Sequence, residues 1–174
     1  GSKIVKQILL FARGATGDFS LQKLENIVSE IEEFVKQTFP KNIVWQSYIP
    51  HELPLIYGDQ TQMHQILLNL CINAKDAMPN GGTLTISATE VDIDASDNIN
   101  REVSKKYVKI SVKDTGIGIP LEIQKSIFEP FFTTKDLGKG TGLGLSTVLS
   151  IIQHHNGFVK LDNIPDQGTE FMVF

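Results

Sequence analysis

Hydrophobic positions along the chain follow two spacings, and each spacing predicts a different kind of element. Apolar residues recur every three or four positions in four stretches, which predicts helices at 3–13, 20–39, 59–78 and 145–155. Shorter apolar stretches, alternating with polar residues at 107–113, predict strands at 43–49, 83–91, 107–113, 157–161 and 169–174. Strands and helices do not alternate regularly. We therefore expect the α+β class: a two-layer α/β sandwich with helices packed on one face of a mixed β-sheet.

Polar and turn-forming residues mark the ends of these elements. Ser20 is a candidate N-cap for the second helix, and Pro40 ends it. Asp59, followed by Gln62 three residues later, is typical of a capping box at the start of the third helix. Residues 92–104 hold few large apolar side chains and predict a loose connection.

The third helix carries a narrow row of polar residues between apolar neighbours. At helical pitch the row consists of Gln62, Gln65, Asn69, Asn73 and Asp76. Apolar residues on both sides predict that the row is partly buried, and a buried amide without a partner costs about 1–3 kcal/mol. Either the protein or a ligand must therefore satisfy these groups.

Composition narrows the classes of function. With 174 residues, of which 41% are apolar and 21% charged, we expect one globular domain with its own core. A formal net charge of −4 offers no overall basic field for nucleic acid or an anionic membrane, so local donors would have to hold an anionic ligand. The single cysteine, Cys71, excludes an internal disulfide, and no apolar run reaches the roughly 20 residues of a membrane helix.

Residues 114–120 read Asp-Thr-Gly-Ile-Gly-Ile-Pro and directly follow a predicted strand. The carboxylate of Asp114 could accept a hydrogen bond from the exocyclic amine of adenine, whereas guanine has a carbonyl at that position. Gly116 and Gly118 would let the backbone approach a flat ring closely. A plain turn explains the same residues, and it is the favoured interpretation of this motif alone.

Alternating glycines from 138 to 144 precede an apolar-periodic helix. Successive backbone N–H groups of such a loop, together with the helix start, form a cradle for anions. The loop lacks the spacing of a P-loop and opens no βαβ unit. We favour phosphate binding here over a flexible loop without a ligand. The residues concerned are Lys139, Gly140, Thr141, Gly142, Leu143 and Gly144.

Two further features complete the candidate chemistry. Phe131 and two neighbouring phenylalanines either anchor a lid or belong to the core, and Lys135 and Lys139 either neutralise phosphate or lie on the surface. The amide of Asn73 suits one coordination position of Mg²⁺, although a cap or a core hydrogen bond is the favoured explanation of an isolated asparagine. The order of the motifs, rather than any one of them, indicates an ATP site.

In this order, the motifs resemble those of the catalytic, ATP-binding domain of sensor histidine kinases, in the superfamily (GHKL) that also contains gyrase-type ATPases, mismatch-repair ATPases and heat-shock chaperones. Residues 69–78 resemble the N box, 114–118 the first glycine box, 128–135 the F box, 138–144 the second glycine box and 167–171 the last glycine motif. The resemblance implies a Bergerat-type ATP-binding fold for 18–174. Residues 1–17 are similar to the end of the dimerisation and phosphoacceptor helix plus a linker.

The resemblance also implies roles for individual residues. Asn73 would ligate Mg²⁺, and Asp114 would read the adenine amine, with Thr169 nearby. Gly116 and Gly118 would line the base pocket. The remaining residues expected to contact or enclose ATP are Asp76, Phe131, Lys139, Gly140, Thr141, Gly142, Leu143 and Gly144.

Asn69 is informative because the gyrase and chaperone branch has a water-activating glutamate at the matching position. An amide is a poor general base, so the site is expected to hold ATP without hydrolysing it quickly. Asn69, Asn73 and Lys135 are the candidate catalytic residues. The implied function is transfer of the γ-phosphoryl of Mg-ATP to a histidine on a dimerisation module outside this chain.

The expected partners follow from this function. They are the dimerisation and histidine phosphotransfer module of the same protein and the receiver domain of a response regulator, but not nucleic acid or, for this fragment, a membrane. The parent is expected to be a cytoplasmic homodimer, with or without a membrane anchor. The chain itself is not expected to become phosphorylated, since none of its four histidines has the context of an acceptor: His51, His64, His154 and His155.

Two other kinds of function compete with this one. The first is a stand-alone ATPase or a serine kinase of the same superfamily, such as an anti-sigma factor. The second is a signalling adaptor that binds nucleotide weakly or not at all. Asn69 argues against the ATPase. The predicted helix at 3–13 argues against the serine kinase, and the complete set of motifs argues against the adaptor. The apolar face of that helix, formed by Ile4, Ile8 and Leu9, is expected to self-associate or fold back.

Overall fold

The structure, a computed structural model, describes residues 18–93, 105–135 and 140–174. The predicted helix at 3–13 lies outside these ranges. In chain order the elements are β1 (Ser20–Gln22), α1 (Leu24–Thr38), β2 (Ile43–Tyr48), β3 (Ile56–Gly58), α2 (Gln60–Ala77), β4 (Gly82–Ile93), β5 (Lys105–Asp114), α3 (Gly144–His154), β6 (Val159–Ile164) and β7 (Gly168–Val173).

Five of the strands form one mixed sheet in the order β2-β4-β5-β7-β6. β2 runs parallel to β4, and the other neighbouring pairs are antiparallel. The register aligns Ile86 with Val112 and Val112 with Phe171. All three side chains are buried. Because alternate residues of a strand point to opposite faces, this register gathers the apolar side chains of neighbouring strands on one face of the sheet.

The three helices cover that apolar face, which confirms the predicted two-layer sandwich. Helix α2 is central, since it contacts α1 and α3 as well as β4, β5 and β7. Its buried residues place a continuous apolar surface against its neighbours. They are Gln62, Met63, Ile66, Leu67, Leu70, Cys71 and Ala74, of which only Gln62 is polar.

The start of α2 is fixed by the predicted cap. The carboxylate of Asp59 accepts a hydrogen bond from the backbone N–H of Gln62 at 2.7 Å. The N–H of Asp59 donates to Nε2 of His155 at 3.1 Å, which ties the start of α2 to the residue that ends α3. The other ring nitrogen of His155 lies 2.9 Å from the carbonyl oxygen of Ile151. These two contacts fit a neutral ring that carries its proton on Nδ1.

The prediction that Ser20 caps α1 was wrong. Residues 20–22 form a short strand that pairs antiparallel with β3, and α1 begins at Leu24 without a side-chain cap. Strand β4 reaches Ile93, so residues 92 and 93 belong to the sheet, while 94–104 lie outside the described residues. None of the three helices in the described ranges combines the length and apolar character needed to cross a bilayer.

Candidate nucleotide site

The polar row of α2 becomes more exposed towards the end of the helix. Gln62 is buried, Asn69 and Asn73 are half-buried, and Asp76 is exposed. Oδ1 of Asn69 lies 3.8 Å from the position that a Cβ on Gly144 would take, so the row passes beside the start of α3. Neither asparagine side chain has a hydrogen-bond partner within the described ranges. Their amides are therefore available to water or to a ligand.

Asp114 ends β5 with its side chain turned inward, and only 4% of it is exposed. Its Oδ1 accepts a hydrogen bond from the N–H of Gly116 at 2.8 Å. Burial raises the pKa of this carboxyl above its ordinary value, and backbone hydrogen bonds from Gly116 and Thr169 offset part of that rise.

The raised pKa of Asp114 has a consequence for stability. Since the folded state holds this proton more tightly than the unfolded chain does, the free energy of unfolding falls as pH rises from the ordinary Asp pKa through the raised value. The full cost of ionising this group is present above the raised pKa. A buried carboxylate with that cost is typical of a binding site rather than of a stabilising turn.

Two glycines bring the loop after Asp114 close to other backbone. A Cβ on Gly116 would lie 2.3 Å from the carbonyl oxygen of Ala77, and the N–H of Ile117 donates to that same oxygen at 2.9 Å. Gly118 has φ +71°, and its Cβ would lie 2.8 Å from the carbonyl oxygen of Ile164. The loop is therefore held between the last residue of α2 and the turn from β6 to β7.

Thr169 lies on β7 beside this loop and is buried. Its hydroxyl donates to Oδ1 of Asn163 at 3.0 Å. Asn163 also accepts the N–H of Ile119 at 2.6 Å and donates to the carbonyl oxygen of Ile119 at 2.8 Å. Sequence reasoning missed Asn163, because an asparagine in an ordinary strand carries no motif. Its hydrogen bonds connect Thr169 to the loop that follows Asp114.

The glycine-rich loop reaches α3 through Gly140, Thr141 and Gly142 in the described residues; Lys139 lies outside them. Gly142 has φ +66°, and a Cβ there would lie 2.3 Å from the carbonyl carbon of Phe131. The N-cap residue of α3 is Leu143, which has no side-chain oxygen, and the first turn contains no acidic residue. The first N–H groups of α3 are thus free of a side-chain cap and suited to an anion.

The phenylalanines of the F-box stretch divide between the two roles considered for them. Phe128 and Phe132 pack against the core, and the ring of Phe128 lies edge-to-face with that of Phe171 at a centroid distance of 6.3 Å. Phe131 is 74% exposed and has φ +65°. A non-glycine residue in that conformation is uncommon and often marks a functional segment. Only Phe131 is therefore placed to contact a ligand.

Lys135 joins the F-box stretch to α2. Its Nζ forms an ion pair with the carboxylate of Asp76, which also lies 3.3 Å from Nζ of Lys75. Asp76 is three residues, or about one helical turn, beyond Asn73. The structure thus gathers Asn69, Asn73, Asp76 and Lys135 around the end of α2. The contact of Gly116 with Ala77 brings the Asp114 loop to the same end.

The residues that the structure describes do not by themselves surround a cation. No group of three or more His, Cys, Asp or Glu side chains in the described part of the chain could hold a metal ion. The amide oxygen of Asn73 is nevertheless a hard, neutral ligand, and it has no hydrogen-bond partner in the described ranges. These residues fit an ion such as Mg²⁺ that takes most of its ligands from phosphates and water, with one from the protein.

Comparison with known proteins agrees with this geometry. Residues 58–174 match the family described as histidine kinase-, DNA gyrase B-, and HSP90-like ATPase. The chain belongs to this ATPase family. It is 37% identical over 175 residues to sensor kinase CckA of Brucella abortus, a match that covers 99% of this chain and 18% of CckA. The chain therefore spans about a fifth of that relative.

Solved structures of family members share the fold. The catalytic domain of histidine kinase ThkA, in a nucleotide-free form, aligns with a TM-score of 0.70 at 29% identity, covering 90% of this chain and 93% of that one. ThkA in complex with the response regulator protein TrrA aligns with a TM-score of 0.70 at 27% identity, and the match covers 98% of this chain and 45% of that one. Full-length ShkA in complex with AMPPNP aligns with a TM-score of 0.75 at 25% identity, and the match covers 98% of this chain and 34% of that one.

Gly142→Ala tests whether the loop needs its left-handed backbone. We expect the substitution to lower the free energy of unfolding by at least about 1–2 kcal/mol, because an alanine is strained at that φ and its Cβ meets Phe131. Gly144→Ala is the matched control, since its Cβ meets nothing closer than 3.8 Å. Urea unfolding without nucleotide measures both variants. Equal stability of the two would contradict the loop conformation described above.

Proposed function

We propose that this domain binds Mg-ATP and positions the γ-phosphoryl group for transfer to a histidine of a dimerisation module. The observation that carries the proposal is the meeting of two chemically different half-sites at the end of α2. Asp114 and its glycine loop supply a buried acceptor, and Asn73 supplies an amide that has no partner among the described residues. The contact between Gly116 and Ala77 holds the two half-sites together.

The adenine would be bound by the half-site of Asp114. A buried acceptor that is already held by backbone N–H groups has a fixed orientation, so it can select an amine over a carbonyl. Gly116 and Gly118 would leave room for the ring. The hydroxyl of Thr169, which is fixed through Asn163, would lie at the margin of the base pocket.

The triphosphate would lie at the start of α3. Gly140, Thr141, Gly142, Leu143 and Gly144 bring successive backbone N–H groups to a helix N-terminus, where both the free donors and the helix dipole favour negative charge. Phe131, which is exposed beside Gly142, would close over the nucleotide. Lys139 stays a prediction as a phosphate contact. This local arrangement would compensate for the net charge of −4, which by itself repels an anion.

Asn73 would hold the Mg²⁺ that accompanies ATP. When bound, the ion would neutralise phosphate charge and keep the γ-phosphoryl group in one orientation. Asn69, one helical turn earlier, faces the start of α3 and would contact the phosphates as a neutral hydrogen-bonding group. Without a carboxylate at this position there is no strong base to activate water. The nucleotide would therefore persist until another nucleophile arrives.

Lys135 and Asp76 would complete the phosphate side of the site. Lys135 forms an ion pair with Asp76, which lies about one helical turn after Asn73 on α2. The ion pair therefore holds the lysine side chain near Asn73. We infer that Lys135 stabilises negative charge on the transferred group and that Asp76 positions this lysine and contacts nucleotide through solvent.

The histidine acceptor would come from elsewhere in the kinase. His51 is exposed outside any helix, 3.0 Å from Glu25, and His155 is engaged with Asp59. The likeness to ThkA, whose structure with TrrA contains a response regulator, supports a receiver domain as the further partner. We also propose a cytoplasmic, homodimeric parent, because the order of the motifs resembles that of sensor histidine kinases.

Asp114→Asn should weaken ATP binding by about 10- to 100-fold. It should also reduce the difference between the affinity for ATP and the affinity for GTP. Loss of a hydrogen bond to a charged acceptor costs about 1.5–3 kcal/mol, and 1.4 kcal/mol is a factor of ten. Isothermal titration with both nucleotides measures the effect. Asp162→Asn makes the same charge change at an exposed position on β6 and should leave both affinities unchanged. An unchanged preference for ATP in Asp114→Asn would remove Asp114 from the base pocket.

Asn73→Ala should lower the affinity for ATP about tenfold in Mg²⁺ and have little effect in a chelator. The reason is that the lost ligand acts through the cation rather than on the nucleotide. Titration of parent and variant under both conditions gives the comparison directly. An equal loss with and without Mg²⁺ would show that Asn73 contacts ATP or the fold instead.

Phosphoryl transfer itself is tested with γ-³²P-labelled ATP. This chain alone should carry no stable label and should release phosphate slowly, because it offers neither an acceptor nor a base. A longer chain, in which a histidine-bearing dimerisation module precedes residue 18, should gain a phosphate that is stable in base and lost in acid. Stable label on His51, or rapid phosphate release by the isolated chain, would overturn the proposal.

A further inference from the structure

A cavity of about 320 Å³ lies at the opposite end of the sandwich from Asp114 and Asn73. It opens between the helical layer and the sheet, where α2 begins, α3 ends, β5 begins and β7 ends. The floor is apolar and its side chains are buried. They are Ile66, Leu67, Ile110, Ile152 and Val173.

The rim of the cavity is also largely apolar, although it faces solvent. Leu55 is 54% exposed and Tyr57 is 65% exposed, and both line the cavity. The polar part of the rim includes Glu90 and Lys106, which are paired with each other at 2.7 Å. Buried floor and exposed rim together form a continuous apolar surface. Such a surface on a small domain is typical of a binding face.

The first described residues of the chain lie at this rim. The ring of Phe19 lies 5.6 Å from that of Tyr57 and 4.7 Å from that of His155, and both partners line the cavity. Strand β1 then pairs with β3, placing Gln22 opposite Ile56, a further lining residue. The first residues that the structure describes, Asp18 and Phe19, thus lie beside the opening.

We propose that this cavity binds the apolar face of residues 3–13 of the same chain. Four linker residues span up to about 13 Å, and the helix predicted for 3–13 would span about 16 Å, so Ile8 and Leu9 are within reach of the opening. Residues 1–17 contain Lys3, Lys6 and Arg13 and no acidic residue. That segment carries +3 in a chain of −4, which leaves −7 on residues 18–174, so the charges favour the docked state.

A nitroxide label on the segment tests the docking. Cys71 is fully buried and burial raises its pKa to about 12, so it does not react with thiol reagents near neutral pH. Lys6→Cys then carries the label alone. In the ¹⁵N-labelled chain without nucleotide, amide signals of Leu55, Tyr57 and Asn156 should lose at least half their intensity. Signals of Ile117 and Gly118, at the ATP end, should keep theirs.

Matched variants separate docking from simple proximity. Adding Ile8→Glu should weaken the broadening of the signals of Leu55, Tyr57 and Asn156 to the level that a flexible tether attached beside the opening causes by itself. Adding Gln7→Glu, which makes the same charge change at the neighbouring position away from the apolar face, should leave them broadened. Equal broadening in the Ile8→Glu and Gln7→Glu variants, or no broadening at the rim, would overturn the proposal.

A mixed sample identifies the occupant. Spin-labelled chain of natural isotope abundance is added to ¹⁵N-labelled chain without a spin label. Unchanged rim signals are expected, because the segment and the cavity belong to one molecule. Broadening would assign the cavity to a second copy instead and would overturn the proposal. Nucleotide is absent throughout, so failure here leaves the proposed ATP site untouched.

Discussion

The contact between the carbonyl oxygen of Ala77 and the loop after Asp114 is the constraint on which the site depends. The last residue of α2 accepts the N–H of Ile117, and Gly116 passes so close to the same oxygen that no side chain fits. This single contact joins the polar row of a helix to the end of a strand. Both half-sites are otherwise carried by elements far apart in sequence, so the contact determines whether they form one site.

The helix that supplies this contact is itself held at its other end. Asp59 caps α2, and His155 accepts the N–H of Asp59, so both the start of α2 and the end of α3 are fixed by the same pair. Between these ends, the apolar face of α2 lies against the sheet. The amides of Asn69 and Asn73 are therefore presented by a rigid element rather than by a loop, which lowers the cost of orienting a ligand.

Periodicity predicted the elements well, because one apolar face of each must be buried. Every strand of the main sheet and all three described helices fall where the spacing placed them, with shifts of a few residues at their ends. The short β1–β3 pair was missed, since three-residue strands have no measurable period. Ser20 has the chemistry of a cap, but its pairing with Gly58 places it in a strand.

The candidate site was predictable in its motifs but not in its contacts. The glycine spacing indicated where the backbone would approach another group closely. The structure shows which groups these are: Ala77 for Gly116 and Phe131 for Gly142. Asn163, and the pairing of Lys135 with Asp76, depend on which elements become neighbours in three dimensions. No local pattern encodes those neighbours. A motif specifies the chemistry that a segment can offer, whereas the sheet order specifies which segments offer it together.

The two ends of the sandwich differ because the same helices and strands carry different residues at each end. At the end that holds Asp114, β5 and α2 finish in polar groups and α3 starts in glycine, so backbone donors and amides remain accessible. At the other end, α2 and α3 present Ile66, Leu67 and Ile152, and the opening stays apolar up to Tyr57. A charged nucleotide would gain little at an apolar opening, and an aliphatic side chain would gain little among amides. The chemistry of each end therefore selects a different class of occupant, and α2 forms part of the wall of both.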